Sequence, residues 1–138
     1  MKVKYKHKEL TEKIIKCGFE VHNILGPGFL EKIYENALNY EILKNKLKAK
    51  TQSPISVYYK EKNVGEYIAD IIVEDKVIIE VKAVEKIIDI HELQLKNYLR
   101  ATGIEVGLLM NFGTSLIVKR KFVKKSWSHL EEIVRLKK

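Results

Sequence analysis

One α/β domain around a mixed sheet is the fold the sequence predicts, on three observations. Apolar spacing is helical up to about Asn45, strand-like from Ile55 to Ala83, helical again from Asp89, and strand-like from Val106. Two adjacent apolar runs, Tyr67–Val73 and Val77–Ala83, face each other across a short polar turn and read as paired strands. No repeat, linker or low-complexity tract interrupts the 138 residues, of which 46% are hydrophobic, enough for one domain with a real core and too few to promise two. Residues 1–138 are therefore expected to form a single domain with one core, preceded by a basic arm over about residues 1–8.

Ile14, Ile15, Gly18, Val21, His22 and Leu25 recur at three- and four-residue steps and predict an amphipathic helix from about Leu10 to Leu25, stopped by Gly26-Pro27-Gly28. A second helix follows, with Leu30, Ile33, Tyr34, Ala37, Leu38 and Ile42 on one face and its end near Asn45. Ile55–Tyr59 is β-branched and aromatic, Glu61–Gly65 reads as a polar turn, and the two apolar runs complete a three-strand antiparallel meander. A helix over Asp89–Thr102 closed by Gly103, a buried strand over Val106–Phe112, a turn at Gly113-Thr114-Ser115 and an edge strand over Leu116–Lys119 come next. Ser128 and Glu131 have capping-box spacing and open a closing helix. Helices followed by a meander, a helix and further strands imply a mixed central sheet flanked by helices.

The charge balance is +8, which favours a polyanionic partner such as nucleic acid, although scattered surface lysine explains it equally well. Two clusters are denser: Lys2, Lys4, Lys6 and Lys8, and Lys119, Arg120, Lys121, Lys124 and Lys125, each either a solvated tail or a phosphate track. Cys17 is the only cysteine, which excludes an internal disulfide and a cysteine-rich zinc site and agrees with a reducing compartment. No apolar run approaches the roughly 20 residues of a membrane span, and Met1–Lys8 lacks the apolar stretch of a signal peptide. A soluble, cytoplasmic protein without membrane contact is expected.

Asp70, Glu80 and Lys82 are charges written into otherwise apolar strands, and such groups are seldom buried unless they pair or bind a metal. Residues two apart on a strand face the same side, so Glu80 and Lys82 are neighbours. Asp70 joins them if Glu74-Asp75-Lys76 forms a three-residue turn, which sets Asp70 opposite Glu80; a two-residue turn would set it opposite Val81. The odd-numbered turn is expected. Two carboxylates so placed suit Mg²⁺, with Mn²⁺ as its substitute, and Lys82 would stabilise phosphate charge or orient the attacking water. A salt-bridged triad without metal is the alternative.

Asp70, a ten-residue step to Glu80, and Glu80-Val81-Lys82 resemble the PD-(D/E)XK nuclease superfamily, whose core is a helix, three antiparallel strands, a helix and a further strand. Gly28, Glu31 and Tyr34 have the spacing of its GxxExxY branch, and the similarity runs from about His22 to Phe112 through Gln94, Tyr98 and Gly107–Phe112. The resemblance implies Asp70, Glu80, Lys82 and Glu31 as catalytic residues, with Glu31 approaching the metal from the second helix as a third acidic ligand beside Asp70 and Glu80. A helix-start glutamate that satisfies its own backbone is the plainer account of Glu31. Gln94 and Tyr98, four apart on one helix face, are carried over as neighbours of the metal or contacts to phosphate. His22 and Tyr34 are accessory candidates that packing in the core would explain as well, whereas His91, His7, His129 and Cys17 carry no argument.

The resemblance implies a metal-dependent nuclease acting on DNA in preference to RNA, with a second copy or a partner protein supplying specificity. The competing expectations are a non-cleaving nucleic-acid-binding or protein-interaction module that retains the fold, and a hydrolase of a small phosphorylated molecule.

Overall fold

In the computed structural model, which describes residues 6–124, the helical spacing at the start of the chain becomes α1 (Lys8–Leu25) and α2 (Glu31–Lys44). The remaining elements are β1 (Ala49–Tyr59), β2 (Lys62–Val73), β3 (Val77–Lys82), α3 (Asp89–Thr102), β4 (Val106–Phe112) and β5 (Leu116–Phe122). The helix expected from Ser128, together with Lys2, Lys4, Lys125 and His129, lies outside the described residues.

The five strands lie in chain order, β1-β2-β3-β4-β5. β1, β2 and β3 form the expected antiparallel meander, β4 runs parallel to β3, and β5 returns antiparallel as an edge strand. A parallel pair needs a crossover, and α3 provides it. Gly103 ends α3 in the left-handed conformation at φ 80°, its N–H donating to the Leu99 carbonyl at 3.0 Å, a geometry that favours glycine. Among the described residues no helix is long and apolar enough to cross a membrane.

Several expectations need correction. β1 begins at Ala49 rather than Ile55, and β5 runs on to Phe122 rather than ending at Lys119, because polar residues that pair with β2 and β4 extend both strands beyond their apolar stretches. The polar turn at Glu61–Gly65 is only Lys60-Glu61, and Lys62–Gly65 extends β2; that end of the hairpin buries neither face, so it has no apolar alternation to read. The buried face of α2 is Tyr34, Glu35, Leu38 and Ile42; Leu30 is exposed as the extended N-cap residue ahead of the helix, and Ile33 is exposed in its first turn, off that face. The single core is two. One cluster packs α1 and α2 on the sheet through Ile14, Val21, Tyr34, Leu38, Ile79 and Phe112; the other packs α3 through Leu95, Tyr98 and Leu99 on Ile78 and Leu109. β4, buried along its whole length, separates them. A methyl group on Gly107 would lie 2.9 Å from Leu95 Cδ1, so the bare backbone there lets α3 close on the sheet.

Candidate active site

The β2–β3 turn is the three-residue Glu74-Asp75-Lys76, and the register is Val73↔Val77, Ile72↔Ile78 and Ile71↔Ile79. The next rung would set Asp70 opposite Glu80, as the odd-numbered turn requires. There the backbone ladder stops and the carboxylates replace it. Asp70 Oδ2 accepts the Val81 N–H at 2.8 Å, and Glu80 Oε1 accepts the Asp70 N–H at 3.3 Å.

On the other side of Asp70 the β1–β2 ladder has Thr51↔Ile71 and Ser53↔Ala69, which leaves Gln52 opposite Asp70. Gln52 has φ 50°, a left-handed conformation that is uncommon and costly for a residue with a side chain. The faces exchange at this point. Ala49, Ile71 and Val73 belong with the α1–α2 core, while Ile55 and Ala69, of the same parity, pack with α3. Asp70 sits at the crossover, where β2 leaves β3.

Burial dominates the electrostatics. Glu80 is 7% exposed, and its carboxyl is pushed up to about 8, by burial first and by the Asp70 charge second, against the Asp70 N–H and Lys82, which lower it. Asp70 is pushed up to about 6, again by burial first, with Glu35 and Glu31 adding to the rise and the Val81 N–H and Lys82 opposing it. Two adjoining carboxylates short of positive charge are a donor set that fits a hard divalent cation. Lys82 is half-buried, two residues beyond Glu80 on the same side of β3.

Glu31 stands in the exposed first turn of α2, close enough for its charge to act on Asp70. Among the described residues no three His, Cys, Asp or Glu side chains converge on one point. The carboxylate from α2 that is buried is Glu35, at 5% exposure, and it bears on both Asp70 and Glu80. Lys32 Nζ and Gln52 Nε2 donate to Glu35 Oε2 at 3.0 and 2.8 Å. Sequence reasoning missed this residue. Its signal was an acid in the middle of the apolar face formed by Tyr34, Leu38 and Ile42.

Tyr98 is buried beside the acids; burial first, then the charges of Glu80, Tyr67 and Asp70, push its hydroxyl up to about 12, so it stays protonated. Its ring lies 4.9 Å from that of Tyr67, tilted by 52°. Gln94, one turn earlier on α3, is exposed. His22 and Tyr34 share an aromatic stack with Phe112, and Tyr34 and Phe112 are 4.8 Å apart and nearly parallel. The Tyr34 hydroxyl donates to the Gly26 carbonyl at 2.6 Å and accepts the Phe29 N–H at 3.1 Å, so Tyr34 works from the core by tying down the glycine loop ahead of Glu31. One ring nitrogen of His22 lies 2.8 Å from the Gly113 carbonyl, and His91 Nδ1 accepts the Ile88 N–H at the start of α3.

Asn111 of β4 stands opposite Lys82 of β3. Its buried amide donates to the Val84 carbonyl and accepts the Val84 N–H, both at 2.9 Å, fixing the chain just beyond Lys82. The basic cluster of β5 is engaged as well: Lys119 and Lys121 pair with Glu92, and Arg120 bonds Thr11 and the Lys6 carbonyl.

The residues matched by the model for the PD-(D/E)XK nuclease superfamily are 8–125, which take in all eight elements. The chain belongs to this superfamily. Nucleases of the superfamily generally use divalent metals, in keeping with the paired carboxylates. The superfamily fold recurs in two crystal structures. An alkaline exonuclease from Laribacter hongkongensis (LHK-Exo) is 14% identical, with TM-score 0.53 over 76% of this chain and 63% of that one. SSO0001 is 24% identical, with TM-score 0.53 over 97% of this chain and 65% of that one. The chain thus spans a little under two thirds of either protein. No curated protein matches it.

Proposed function

We propose that the protein is a metal-dependent nuclease that hydrolyses phosphodiester bonds in nucleic acid, DNA in preference to RNA, and that it belongs to the GxxExxY branch of its superfamily. The single observation that carries this reading is the meeting of Asp70 and Glu80 at the fork of β2 and β3 with Lys82 on the same side. In the proposed roles, Asp70 and Glu80 would hold Mg²⁺, and Glu31 or Glu35 would add negative charge from α2. When bound, the cation supplies Lewis-acid stabilisation of the phosphate and lowers the pKa of a water molecule.

The chain's own groups do the remainder. Lys82 places an ammonium where charge builds on the phosphate and helps orient the attacking water. The reciprocal bonds between Asp70 and the Glu80–Val81 segment hold both carboxylates in one geometry before substrate arrives, so little reorganisation is left for the reaction. Tyr98, protonated at neutral pH, offers a hydroxyl donor beside the acids, and Gln94 reaches outward from the same helix face.

The test is incubation of the purified protein with single-stranded, duplex and branched DNA and with RNA, in Mg²⁺ and in Mn²⁺, beside Glu80→Ala and Lys82→Ala. Cleavage by the wild type that falls at least about 100-fold in both variants supports the reading, a loss of the size expected when a group stabilising the transition state is removed. Equal cleavage by the variants overturns it. Salt-sensitive binding that survives Glu80→Ala, with no cleavage by any form, assigns the protein to the non-cleaving class.

A further inference from the structure

Tyr67 is three residues before Asp70 on β2, and 43% of it is exposed. Its ring is only partly covered. Its support, by contrast, is built. Its cross-strand partner Ile55 is 3% exposed and belongs with Tyr98 to the α3-side core. The Tyr98 ring backs it at a centroid separation of 4.9 Å. Tyr98 is in turn close enough to Glu80 and Asp70 for both charges to act on its hydroxyl. Because the strand faces exchange at Asp70, Tyr67 and Ala69 lie toward α3, the side on which Glu80 and Lys82 follow Ile78 along β3. Tyr67 is thus a partly exposed aromatic surface, backed by Tyr98, about 10 Å along the strand from Asp70.

We infer that Tyr67 is a platform on which one base of the substrate stacks beside the scissile phosphate. This rests on the nuclease reading and narrows it. A base inside a duplex has both its faces covered by neighbouring pairs, so a ring at this position selects a strand that is unpaired at the cut: single-stranded nucleic acid, a frayed end or a flap. Stacking on an aromatic ring accepts any base, so the platform selects strand form and leaves base sequence unread. Tyr98 takes no part in the stack itself; it holds Tyr67 in place.

Binding can be measured by fluorescence anisotropy in the full-length protein carrying Glu80→Gln to block cleavage, with a labelled DNA strand of about 12 nucleotides. Tyr67→Ala is expected to weaken single-strand binding by about 5- to 150-fold and Tyr67→Phe by less than about twofold, while blunt duplex affinity changes little in either. An abasic site stepped along the strand should reproduce the loss at one position, and Tyr67→Ala should add nothing to it there. Four results overturn the platform: unchanged binding in Tyr67→Ala, equal losses on duplex and single strand, losses in Tyr67→Phe as large as in Tyr67→Ala, or additive effects of Tyr67→Ala and every abasic position. Failure of the platform alone leaves wild-type binding and cleavage in place; if the wild type neither binds nor cleaves any nucleic acid, the nuclease reading falls and the platform falls with it.

Discussion

Gln52 donates its side-chain amide to Glu35 across 2.8 Å, joining the edge strand β1 to α2 at the level of Asp70. The bond explains what the left-handed backbone of Gln52 achieves: it turns the strand where β2 parts from β3, and the side chain is anchored to a buried carboxylate. Glu35→Ala removes the acceptor shared by Lys32 and Gln52 and should destabilise the protein by about 1–3 kcal/mol in urea unfolding. Glu35→Gln, which keeps the volume and drops the charge, should cost less than Glu35→Ala.

The protein free of metal should become less stable as pH rises. Glu80 has its folded value pushed up to about 8 from 4.5, and Asp70 up to about 6 from 3.8. Over roughly pH 4.5–8 the folded chain therefore holds protons that the unfolded chain has released, and stability falls with increasing pH. In EDTA, the melting temperature at about pH 8.5 should lie several degrees below that at about pH 5.5, and Glu80→Gln should flatten much of the difference. Mn²⁺ should raise the melting temperature more at the higher pH, since its carboxylate ligands must be ionised. A profile that rises with pH would contradict the burial of these acids.

Removing the Asn111 amide should reach the site from the next strand. Asn111→Ala gives up both bonds to Val84 and should cost about 1–3 kcal/mol, with a fall in cleavage rate at saturating substrate and little change in KM. Asn111→Asp keeps the acceptor and loses the donor. Its effect on rate should be intermediate, in steady-state kinetics on any strand the wild type cuts.

Tyr34→Phe should separate packing from loop anchoring. The ring stack with Phe112 survives, but the Gly26 carbonyl and Phe29 N–H lose their partner, for about 1 kcal/mol in thermal or urea unfolding. Hydrogen exchange should quicken at Phe29 and leave β4 unchanged.

The Asp70–Glu80 pairing could be read from the sequence for a local reason. Side chains alternate between the two faces of a strand, and the three-residue turn between the two apolar runs fixes which residues stand opposite each other. The bounds of α3 and β4 followed from Gly103 and from an unbroken apolar run, signals that lie within a few residues of the elements they mark. What escaped was longer in range or contrary to type. Gln52 is a poor candidate for a left-handed residue on any local rule, and its conformation follows from the fork on one side and Glu35 on the other. Glu35 is an acid on a helix, a type that is ordinarily solvent-exposed, and only the packing of α2 on the sheet buries it. Lys62–Gly65 carries no apolar alternation, because pairing with β1 is all that holds that end of β2 in place.

The exchange of faces at Gln52 and Asp70 divides the β1–β2 hairpin into a root and an arm. The root is locked in the sheet. The arm runs outward to Lys60-Glu61 with Tyr59 and Val64 exposed near its tip, and beyond Asp70 no β3 rung holds it. From Tyr67 outward to the tip, its length and its outward side chains can therefore drift between related chains at little cost to the chemistry below, much as the handle of a tool is refitted while the blade stays the same. Diversity in what such proteins grip should gather in that arm, and constancy at its root.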